Sequence, residues 1–189
     1  ENRGKGGAVY AGWEQHTGEE MLAFVDADGS CTAAETARLI SLARATADSR
    51  NGETPLPALF ASRVKMLGRT IERQLKRHLI GRIYATLSST LLSIPVYDSQ
   101  CGLKLVPRAA YEQVQSRLTV PGYAFDMDLL AALIDNGTHV IEVPIDWHEI
   151  PHGKVNLMIE SLRMARDVWK IRQTRARLAP DRPRLSGGG

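Results

Sequence analysis

The sequence predicts an α/β protein, because strand-like apolar runs alternate with helical segments and no internal repeat is present. The clearest run is Met21–Val25, which lies between a glycine and an acidic stretch. An uninterrupted apolar run of this length is typical of a strand buried on both faces of a parallel sheet. Thr32 and Glu35 then form a capping-box pattern, which predicts a helix that continues to about Ala47.

Later segments continue the alternation. Short apolar runs predict strands at Leu59–Val64, Gly102–Val106 and Val140–Trp147. Helical patterns predict helices from Arg69 to about Ser93, from Pro107 onward, over Phe125–Asn136 and from Asn156 to about Arg177. The first segment, Gly4–Gln15, has the composition of a glycine-rich loop that runs into a helix.

The composition is that of a folded globular domain. The chain has 189 residues, of which 43% are hydrophobic and 24% are charged, so wholesale disorder is excluded. No run approaches the roughly 18 apolar residues that a membrane-spanning helix needs. The two cysteines, Cys31 and Cys101, are too few for a disulfide framework, so we expect reduced thiols and a cytoplasmic setting. We expect Cys101 to be a small buried apolar residue and not a nucleophile.

Basic residues concentrate near the end of the chain. The net charge is +3, but residues 163–184 contain eight basic and two acidic residues. A basic segment on a mildly acidic body indicates an anionic partner, either a lipid surface or a nucleic acid. Nucleic acid is disfavoured because Trp169 is the only aromatic residue of this segment that could stack on bases.

Two carboxylates, Asp26 and Asp28, follow the clearest predicted strand. In open α/β sheets, ligands bind outside the carboxyl ends of the strands. Hard cations such as Mg²⁺ or Mn²⁺ prefer carboxylate oxygens and commonly bridge them to substrate phosphates. The alternative is a turn in which both side chains only accept hydrogen bonds from backbone amides, and the spacing alone favours that alternative.

Several basic residues could bind an anionic substrate. Lys5 lies in a glycine-rich stretch, where backbone amides and an ammonium group can approach a phosphate closely. The stretch lacks the spacing of a P-loop, and a surface turn is an equal alternative. Further along, Arg63 is followed by a basic cluster on the predicted long helix, which consists of Arg73, Lys76, Arg77 and Arg82. Residues 73 and 76 or 77 share one helix face, so the cluster could bind an anionic substrate, and a solvated helix face is the alternative.

Polar residues after the predicted long helix are candidates for proton transfer and ligand binding. Asp98 has the character of a general base, and Gln100 could contact a ligand or complete a metal shell. A turn held by side-chain hydrogen bonds is the alternative, and it is favoured on spacing alone.

Taken in order, these motifs resemble the family-2, GT-A-fold glycosyltransferases that act on polyprenyl phosphates, among them the dolichyl-phosphate glucose and mannose synthases. The resemblance extends from residue 2 to about residue 172. It is carried by NRGKGGAVYAG (Asn2–Gly12), FVDADGS (Phe24–Ser30), ASR (Ala61–Arg63), DSQCGLKL (Asp98–Leu105), GYAFDMDLL (Gly122–Leu130), VIEVPIDW (Val140–Trp147) and GKV (Gly153–Val155).

The resemblance implies the fold and the reaction. The fold is a Rossmann-like, mixed and mostly parallel sheet flanked by helices, with the family's first strands missing. The reaction is transfer of a hexose from a nucleotide-sugar, of the UDP-glucose or GDP-mannose class, to a polyprenyl or dolichyl phosphate. A saccharide hydroxyl as acceptor is the alternative, and the absence of a Q-x-x-R-W motif favours the lipid phosphate. A basic nucleic-acid-binding module is a remote third possibility.

The resemblance also implies residue roles. Asp26, Asp28 and Gln100 correspond to ligands of a Mg²⁺ or Mn²⁺ ion, and Lys5, Asp26 and Asp28 to donor contacts. Arg63, Arg77 and Arg82 correspond to the acceptor-phosphate site, Asp98 to a catalytic base and Asp126 to a second candidate for it. A phosphate acceptor is already anionic near neutral pH, because its second pKa is about 6, so it requires little proton abstraction.

Finally, the resemblance predicts the organisation of the chain. Residues 1–155 are expected to form a partial catalytic domain, 156–178 a basic amphipathic helix that contacts the membrane, and 179–189 a flexible tail. We expect a protein peripheral to the cytoplasmic face of a membrane. Because the nucleoside-binding strands have no counterpart, residues 1–189 alone are expected to bind a nucleotide-sugar weakly and to show little activity.

Overall fold

The computed structural model describes residues 3–50, 55–72, 86, 89–148, 150 and 157–178. Its strands are β1 (Met21–Val25), β2 (Ala58–Ser62), β3 (Ile71–Glu72), β4 (Leu103–Pro107), β5 (Val140–Pro144) and β6 (Trp147–His148). Its helices are α1 (Gly4–Glu14), α2 (Ala33–Ser49), α3 (Arg108–Val114), α4 (Phe125–Asp135) and α5 (Leu157–Leu178), and a 3₁₀ turn, Gln115–Arg117, follows α3. Residues 89–92 are also helical. The candidate site residues Arg77 and Arg82 and the predicted tail, residues 179–189, lie outside the described part of the chain.

The main sheet is mixed, as expected. Its strand order is β1-β4-β2-β5, and β4 is antiparallel to both of its neighbours. Strands β2 and β5 are parallel, so three of the four strands run in one direction. A second, two-stranded sheet pairs β3 with β6 in parallel. The carboxyl ends of β1, β2 and β5 therefore meet at one edge of the main sheet, together with the start of β4.

Two apolar layers cover the main sheet. Alternate residues of β2 point to opposite layers: Phe60 belongs to the layer that also holds α4, and Leu59 belongs to the layer that holds Leu39 of α2. Helix α2 begins as predicted, because Thr32 Oγ1 accepts a hydrogen bond from the Glu35 amide at 3.2 Å. The two central strands, β2 and β4, are thus packed on both faces and buried at every position.

Three sequence-based expectations about strands and helices are wrong. Strand β1 is not buried on both faces: Ala23 is exposed and Val25 is 46% exposed, although Met21 on the same face packs against the layer that holds Leu39 of α2. The helix expected from Arg69 does not begin there, because Ile71 pairs with Trp147 in the small sheet. The strand expected over Val140–Trp147 is divided between the two sheets.

Helix α5 packs against the core through one stripe. Val168 and Ile171 are buried in the same layer as α4, whereas Trp169 and Arg172 are exposed. The apolar pattern of this helix predicts Val168 or Trp169, together with Arg172, on the inner stripe. Val168 is confirmed, and Ile171 takes the inner position that the pattern gave to Arg172. Arg175 completes the packing through a bidentate ion pair with Asp135 of α4, at 2.7 and 2.8 Å.

The glycine-rich stretch at the start of the chain is helical from Gly4, and not a loop. Its Gly7 amide donates to the carbonyl of Pro121 at 3.2 Å. A Cβ added at Gly6 would lie 2.3 Å from Phe125 Cβ, so this glycine allows α1 to approach α4 closely. Gly6 therefore allows close helix packing. The sequence had suggested a different role for this glycine-rich stretch, namely close approach of a phosphate.

We expect Gly6→Ala and Gly12→Ala, both in α1, to have opposite effects on thermal stability. At Gly12 an added Cβ meets nothing within 4 Å. Alanine is favoured over glycine in helices by about 1 kcal/mol, equivalent to a rise of roughly 2–4 °C in melting temperature. At Gly6 the contact with Phe125 outweighs this gain, since overpacking costs about 1–3 kcal/mol. Calorimetry checks both, and a stabilised Gly6→Ala variant would contradict the packing.

Candidate functional site

The predicted acidic turn lies at the carboxyl end of β1. The Asp26 amide donates to the carbonyl of Gly102 at 2.7 Å, which joins the turn to the start of β4. The carboxylate of Asp26 pairs with Lys5 of α1, whose Nζ lies 2.8 Å from Oδ1 and 3.0 Å from Oδ2. Asp28 Oδ1 accepts from the Ser30 amide at 2.9 Å. The structure therefore places Lys5, Asp26 and Asp28 together.

The chemistry of this turn fits a hard divalent cation. Asp28 is exposed and Asp26 is partly exposed, so carboxylate oxygens, which Mg²⁺ and Mn²⁺ prefer, face solvent at the sheet edge. Among the described residues, no group of three or more His, Cys, Asp or Glu side chains is arranged to hold a metal ion. A cation here would thus use one or two carboxylates, and water or phosphate oxygens for the rest. Binding to Asp26 would compete with the ion pair to Lys5.

Gly102 determines where the carboxylate of Asp26 can lie. A Cβ at position 102 would lie 2.2 Å from Asp26 Oδ2 and 2.4 Å from its Cγ. Only glycine, which has no side chain, leaves room for the Asp26 carboxylate. This explains why glycine follows Cys101 in the motif.

We expect Gly102→Ala to displace the Asp26 side chain and to weaken Mn²⁺ binding by about 10–100-fold, the usual effect of disturbing groups that support a metal ligand. Isothermal titration with Mn²⁺ measures this. Gly18→Ala is the matched control, because an added Cβ at Gly18 meets nothing within 4 Å. Equal Mn²⁺ affinity in both variants would show that Asp26 does not bind the ion.

Asp98 forms a bidentate ion pair with Arg63. Arg63 Nε lies 2.6 Å from Asp98 Oδ2, Arg63 Nη2 lies 2.8 Å from Oδ1, and the Arg63 amide also donates to Oδ2 at 2.9 Å. The Arg63 guanidinium is 5.1 Å from the ring centroid of Trp147. Asp98 is only 8% exposed. A buried carboxylate with both oxygens bound to a cation is well placed to orient that cation and poorly placed to abstract a proton.

Backbone contacts fix the loop that carries Asp98. The amides of Tyr97 and Asp98 each donate to the Glu142 carboxylate of β5, both at 2.9 Å. The backbone amide of Gln100 donates to Asp98 Oδ1 at 3.2 Å. Gln100 therefore belongs to a turn held by a side-chain hydrogen bond, which was the alternative to a ligand site at this segment. No local pattern in the sequence predicts this role of Glu142, because its partners lie more than 40 residues away along the chain.

A second ion pair, between Lys104 and Asp126, lies behind the site. Lys104 Nζ is 2.6 Å from Asp126 Oδ1 and 2.6 Å from the carbonyl oxygen of Cys101. Lys104 is 0% and Asp126 2% exposed. Such burial argues against the expected role of Asp126 as a base, since an enclosed carboxylate cannot reach an acceptor. Burial raises the pKa of Asp126, and the ammonium groups of Lys104 and Lys5 oppose that rise.

Lys104 was missed, although the sequence contains a signal for it. It interrupts the apolar run of β4, and a lysine inside a buried strand requires a partner. In the sheet it stands opposite Phe24 on one side and Phe60 on the other. Its Nζ lies 5.2 and 5.1 Å from the centroids of these two rings, so the charge is enclosed by aromatic faces and one carboxylate.

Cys101 is an enclosed thiol, in agreement with its expected apolar role. It is 0% exposed and packs in the layer under α2. Burial raises the pKa of Cys101 to about 12, with a further contribution from Asp98. We therefore expect iodoacetamide to modify Cys101 only after unfolding, because the thiolate is the reactive form. Mass spectrometry checks this, and rapid labelling of Cys101 in the folded chain would contradict it.

No protein-family model matches the chain. Its sequence is 35% identical over 178 residues to the dolichyl-phosphate β-glucosyltransferase of Saccharomyces cerevisiae, covering 91% of this chain and 52% of the yeast protein. It is 30% identical over 185 residues to the polyprenol monophosphomannose synthase of Mycolicibacterium smegmatis, covering 96% of this chain and 65% of that protein. The chain thus spans about half to two thirds of the length of these relatives.

The fold is similar to that of a solved glycosyltransferase. The glucosyl-3-phosphoglycerate synthase from Mycobacterium tuberculosis, crystallised with uridine diphosphate, superposes with a TM-score of 0.57 and 15% identity. The superposition covers 90% of this chain and 55% of that one. The GT-A fold and the resemblance drawn from the motifs are confirmed. The absence of the first strands, the domain bounds and the residue roles stay predictions. No helix among the described residues is long and apolar enough to cross a membrane.

Proposed function

Because the chain is homologous to dolichyl-phosphate glucosyltransferases and polyprenol monophosphomannose synthases and has the GT-A fold, we propose that it serves hexose transfer from a nucleotide-sugar to a polyprenyl phosphate. One observation carries the proposal. The Asp26–Asp28 turn and the Arg63–Asp98 pair lie at the same sheet edge, joined by the segment Asp98–Gly102. In this proposal, the residues that would hold a metal-bound diphosphate are thus next to the residues that would hold a phosphate.

On the donor side, Asp26 and Asp28 would hold the divalent ion, with Lys5 close to the donor phosphates. Mg²⁺ or Mn²⁺, when bound, neutralises charge on the departing nucleoside diphosphate. Lys5 and Asp26 lie within ion-pair distance. The pair would hold the Asp26 carboxylate in position for the ion and would keep the ammonium group of Lys5 near the donor phosphates.

On the acceptor side, Arg63 would bind the lipid phosphate and Asp98 would position Arg63. A guanidinium matches the geometry of a phosphate, and its planar donors are specific only when the plane is fixed. Asp98 and the Trp147 ring fix that plane. Because the acceptor phosphate is already anionic, the reaction needs no strong base, and this favours positioning over proton abstraction for Asp98. Arg77 and Arg82 remain proposed phosphate contacts from the motif resemblance.

A transfer assay tests the proposal directly. The native protein that contains these residues is given labelled UDP-glucose or GDP-mannose with either a polyprenyl phosphate or a free saccharide. We expect label in the lipid phosphate fraction, lost on removal of divalent ions with a chelator. Label in the saccharide alone would support the alternative acceptor, a sugar hydroxyl, and would contradict the proposal.

A further inference from the structure

The loop between β2 and β3, residues 63–70, presents two adjacent apolar side chains to solvent. Leu67 is 100% exposed and Met66 is 49% exposed. They lie on a turn closed by a hydrogen bond from the Arg69 amide to the Met66 carbonyl at 3.2 Å, with Gly68 at a φ of 80°. Full burial of such a side chain contributes about 1.5–3 kcal/mol, so this turn retains a strong tendency to bind an apolar environment.

Both ends of the loop are fixed to the body of the protein. Arg63, at the first end, forms the bidentate ion pair already described. At the other end, Arg69 Nη1 lies 3.2 Å from Glu35 Oε1 and 3.7 Å from Asp146 Oδ2, and the Thr70 amide donates to Asp146 at 2.7 Å. The turn is therefore held in place before any partner arrives, which reduces the entropy lost on binding.

Further exposed apolar side chains lie at the same end of the strands as this loop. Eight large apolar residues of the described part of the chain are exposed, and five of them lie at that end: one is the last residue of β1, and four lie on segments that follow β2 or β6 or that precede β4. Met66 and Leu67 are adjacent, and an exposed apolar patch marks an interaction surface, whereas scattered single residues do not. The five are Val25, Met66, Leu67, Tyr97 and Ile150.

The exposed lysine of the loop favours an anionic, layered partner over an apolar protein surface. Arg63 and Arg69 are paired with carboxylates of the body of the protein, whereas Lys65, next to Met66, is exposed. Apolar side chains beside a lysine are typical of segments that lie in a membrane interface, where the ammonium group meets lipid phosphates. A cation near an anionic bilayer contributes about 1 kcal/mol.

The separation of Leu67 from Arg63 along the chain also fits a membrane as the partner. Leu67 is four residues from Arg63, so the two lie within about 14 Å of each other. Apolar groups of interfacial segments penetrate about 5–10 Å, to the boundary between headgroups and acyl chains. A polyprenyl phosphate carries its phosphate at the headgroup level. Leu67 can therefore reach the acyl boundary while Arg63 meets that phosphate, a step that rests on the proposed function.

We propose that the turn formed by Lys65, Met66, Leu67 and Gly68 inserts into the headgroup layer of an anionic membrane and thereby sets the acceptor site at the level of the lipid phosphate. Met66 and Leu67 are buried among acyl chains near the surface, and Lys65 lies among the lipid phosphates. The exposed face of α5, with Trp169 and Arg172, is the competing membrane contact that was predicted from the sequence.

Vesicle flotation of the 189-residue chain tests the turn. Vesicles contain phosphatidylcholine with phosphatidylglycerol, or phosphatidylcholine alone. We expect binding to the anionic vesicles, and a loss of about tenfold or more in the double variant Met66→Ser/Leu67→Ser. Leu42→Ser is the control and should bind normally, because Leu42 is 39% exposed on α2, away from this edge. Leu67→Trp should show a blue-shifted emission with anionic vesicles.

Several results would overturn the proposal: no binding of the unmodified chain, undiminished binding of the double serine variant, or loss of binding in Trp169→Ser alone. Calorimetry with a short, water-soluble prenyl phosphate separates this proposal from the proposed function. Without a bilayer, the double serine variant should bind that ligand as the unmodified chain does. If neither protein binds the prenyl phosphate while flotation still depends on Leu67, the membrane-binding role of the turn is retained and the proposed acceptor is wrong.

Discussion

Replacing Lys104 by methionine should lower the free energy of unfolding by about 3–5 kcal/mol, the usual cost of removing one partner of a buried ion pair. The variant leaves Asp126, 2% exposed, without the ammonium group that lies 2.6 Å from its carboxylate. It also removes the donor to the Cys101 carbonyl at 2.6 Å. Methionine fills a similar volume between the rings of Phe24 and Phe60, so the loss is one of charge and not of packing.

The double variant Lys104→Met/Asp126→Leu should recover much of this loss. Removing both charges eliminates their desolvation penalty, and buried ion pairs replaced by apolar side chains are often neutral or even more stable. The free energy of unfolding of the single variant, the double variant and a control is measured by denaturation in urea, with the m-value constant among them. Lys170→Met is the control, because Lys170 is 53% exposed in its side chain on α5 and should change stability by less than about 0.5 kcal/mol.

The loss in Lys104→Met should also depend on pH. Burial already raises the pKa of Asp126, and removing the ammonium group raises it further. A carboxyl group whose pKa is higher in the folded than in the unfolded chain stabilises the fold fully below the unfolded pKa, and loses that contribution as the pH rises through the folded pKa. The difference in the free energy of unfolding between the unmodified chain and Lys104→Met should therefore become smaller as the pH falls. A difference that does not change with pH, or one below about 1 kcal/mol at neutral pH, would contradict the buried ion pair.

Features specified by neighbouring residues were predicted from the sequence. Strand β1 and the cap of α2 depend on short patterns, an apolar run in one case and the pair Thr32 and Glu35 in the other. The acidic turn after β1 was placed correctly for the same reason, since Asp26 and Asp28 follow the strand directly. A sequence pattern is sufficient to predict a feature when the residues that form it are only a few positions apart in the chain.

Features that join distant segments were not predicted. Ile71 forms a strand only because Trp147 lies beside it, and no pattern of residues 69–93 indicates that pairing. Lys104 and Asp126 belong to different elements that the packing of α4 on the sheet brings together. In each case the interaction exists only after the chain has folded, so the motif resemblance named Asp126 as a second candidate base without indicating its ion pair with Lys104.

The Arg63–Asp98 pair is intermediate between these cases. Both residues were selected from the sequence, but as parts of separate sites. The structure makes them a single unit, with two short hydrogen bonds between guanidinium and carboxylate. This changes what each variant tests, because a substitution of Asp98 also changes the orientation of Arg63.

Replacing Arg63 by lysine, or Asp98 by asparagine, should each lower kcat/KM for the lipid phosphate, and the two together should be little worse than the more severe single variant. Lysine keeps the charge but loses the paired, planar donors, and hydrogen bonds to charged groups contribute about 1.5–3 kcal/mol, or roughly 10–150-fold in rate. Most of the loss should appear in KM for the acceptor. Asparagine keeps the shape of Asp98 but no longer accepts both bonds as a carboxylate, so Arg63 loses its fixed plane.

The pH profile separates positioning from base catalysis by Asp98. If Asp98 only orients Arg63, Asp98→Asn should leave the shape of the kcat profile unchanged. A general base would instead lower kcat by about 10²–10⁴-fold when removed and would abolish the acidic limb of the profile. Arg108→Lys is the matched control: Arg108 donates to the Glu19 carbonyl at 2.8 Å, at the end of β4 opposite the site, and should leave acceptor kinetics unchanged. Additive losses in the double variant, or a lost acidic limb in Asp98→Asn, would return Asp98 to the role of base, because two residues that act through one contact cannot contribute independently.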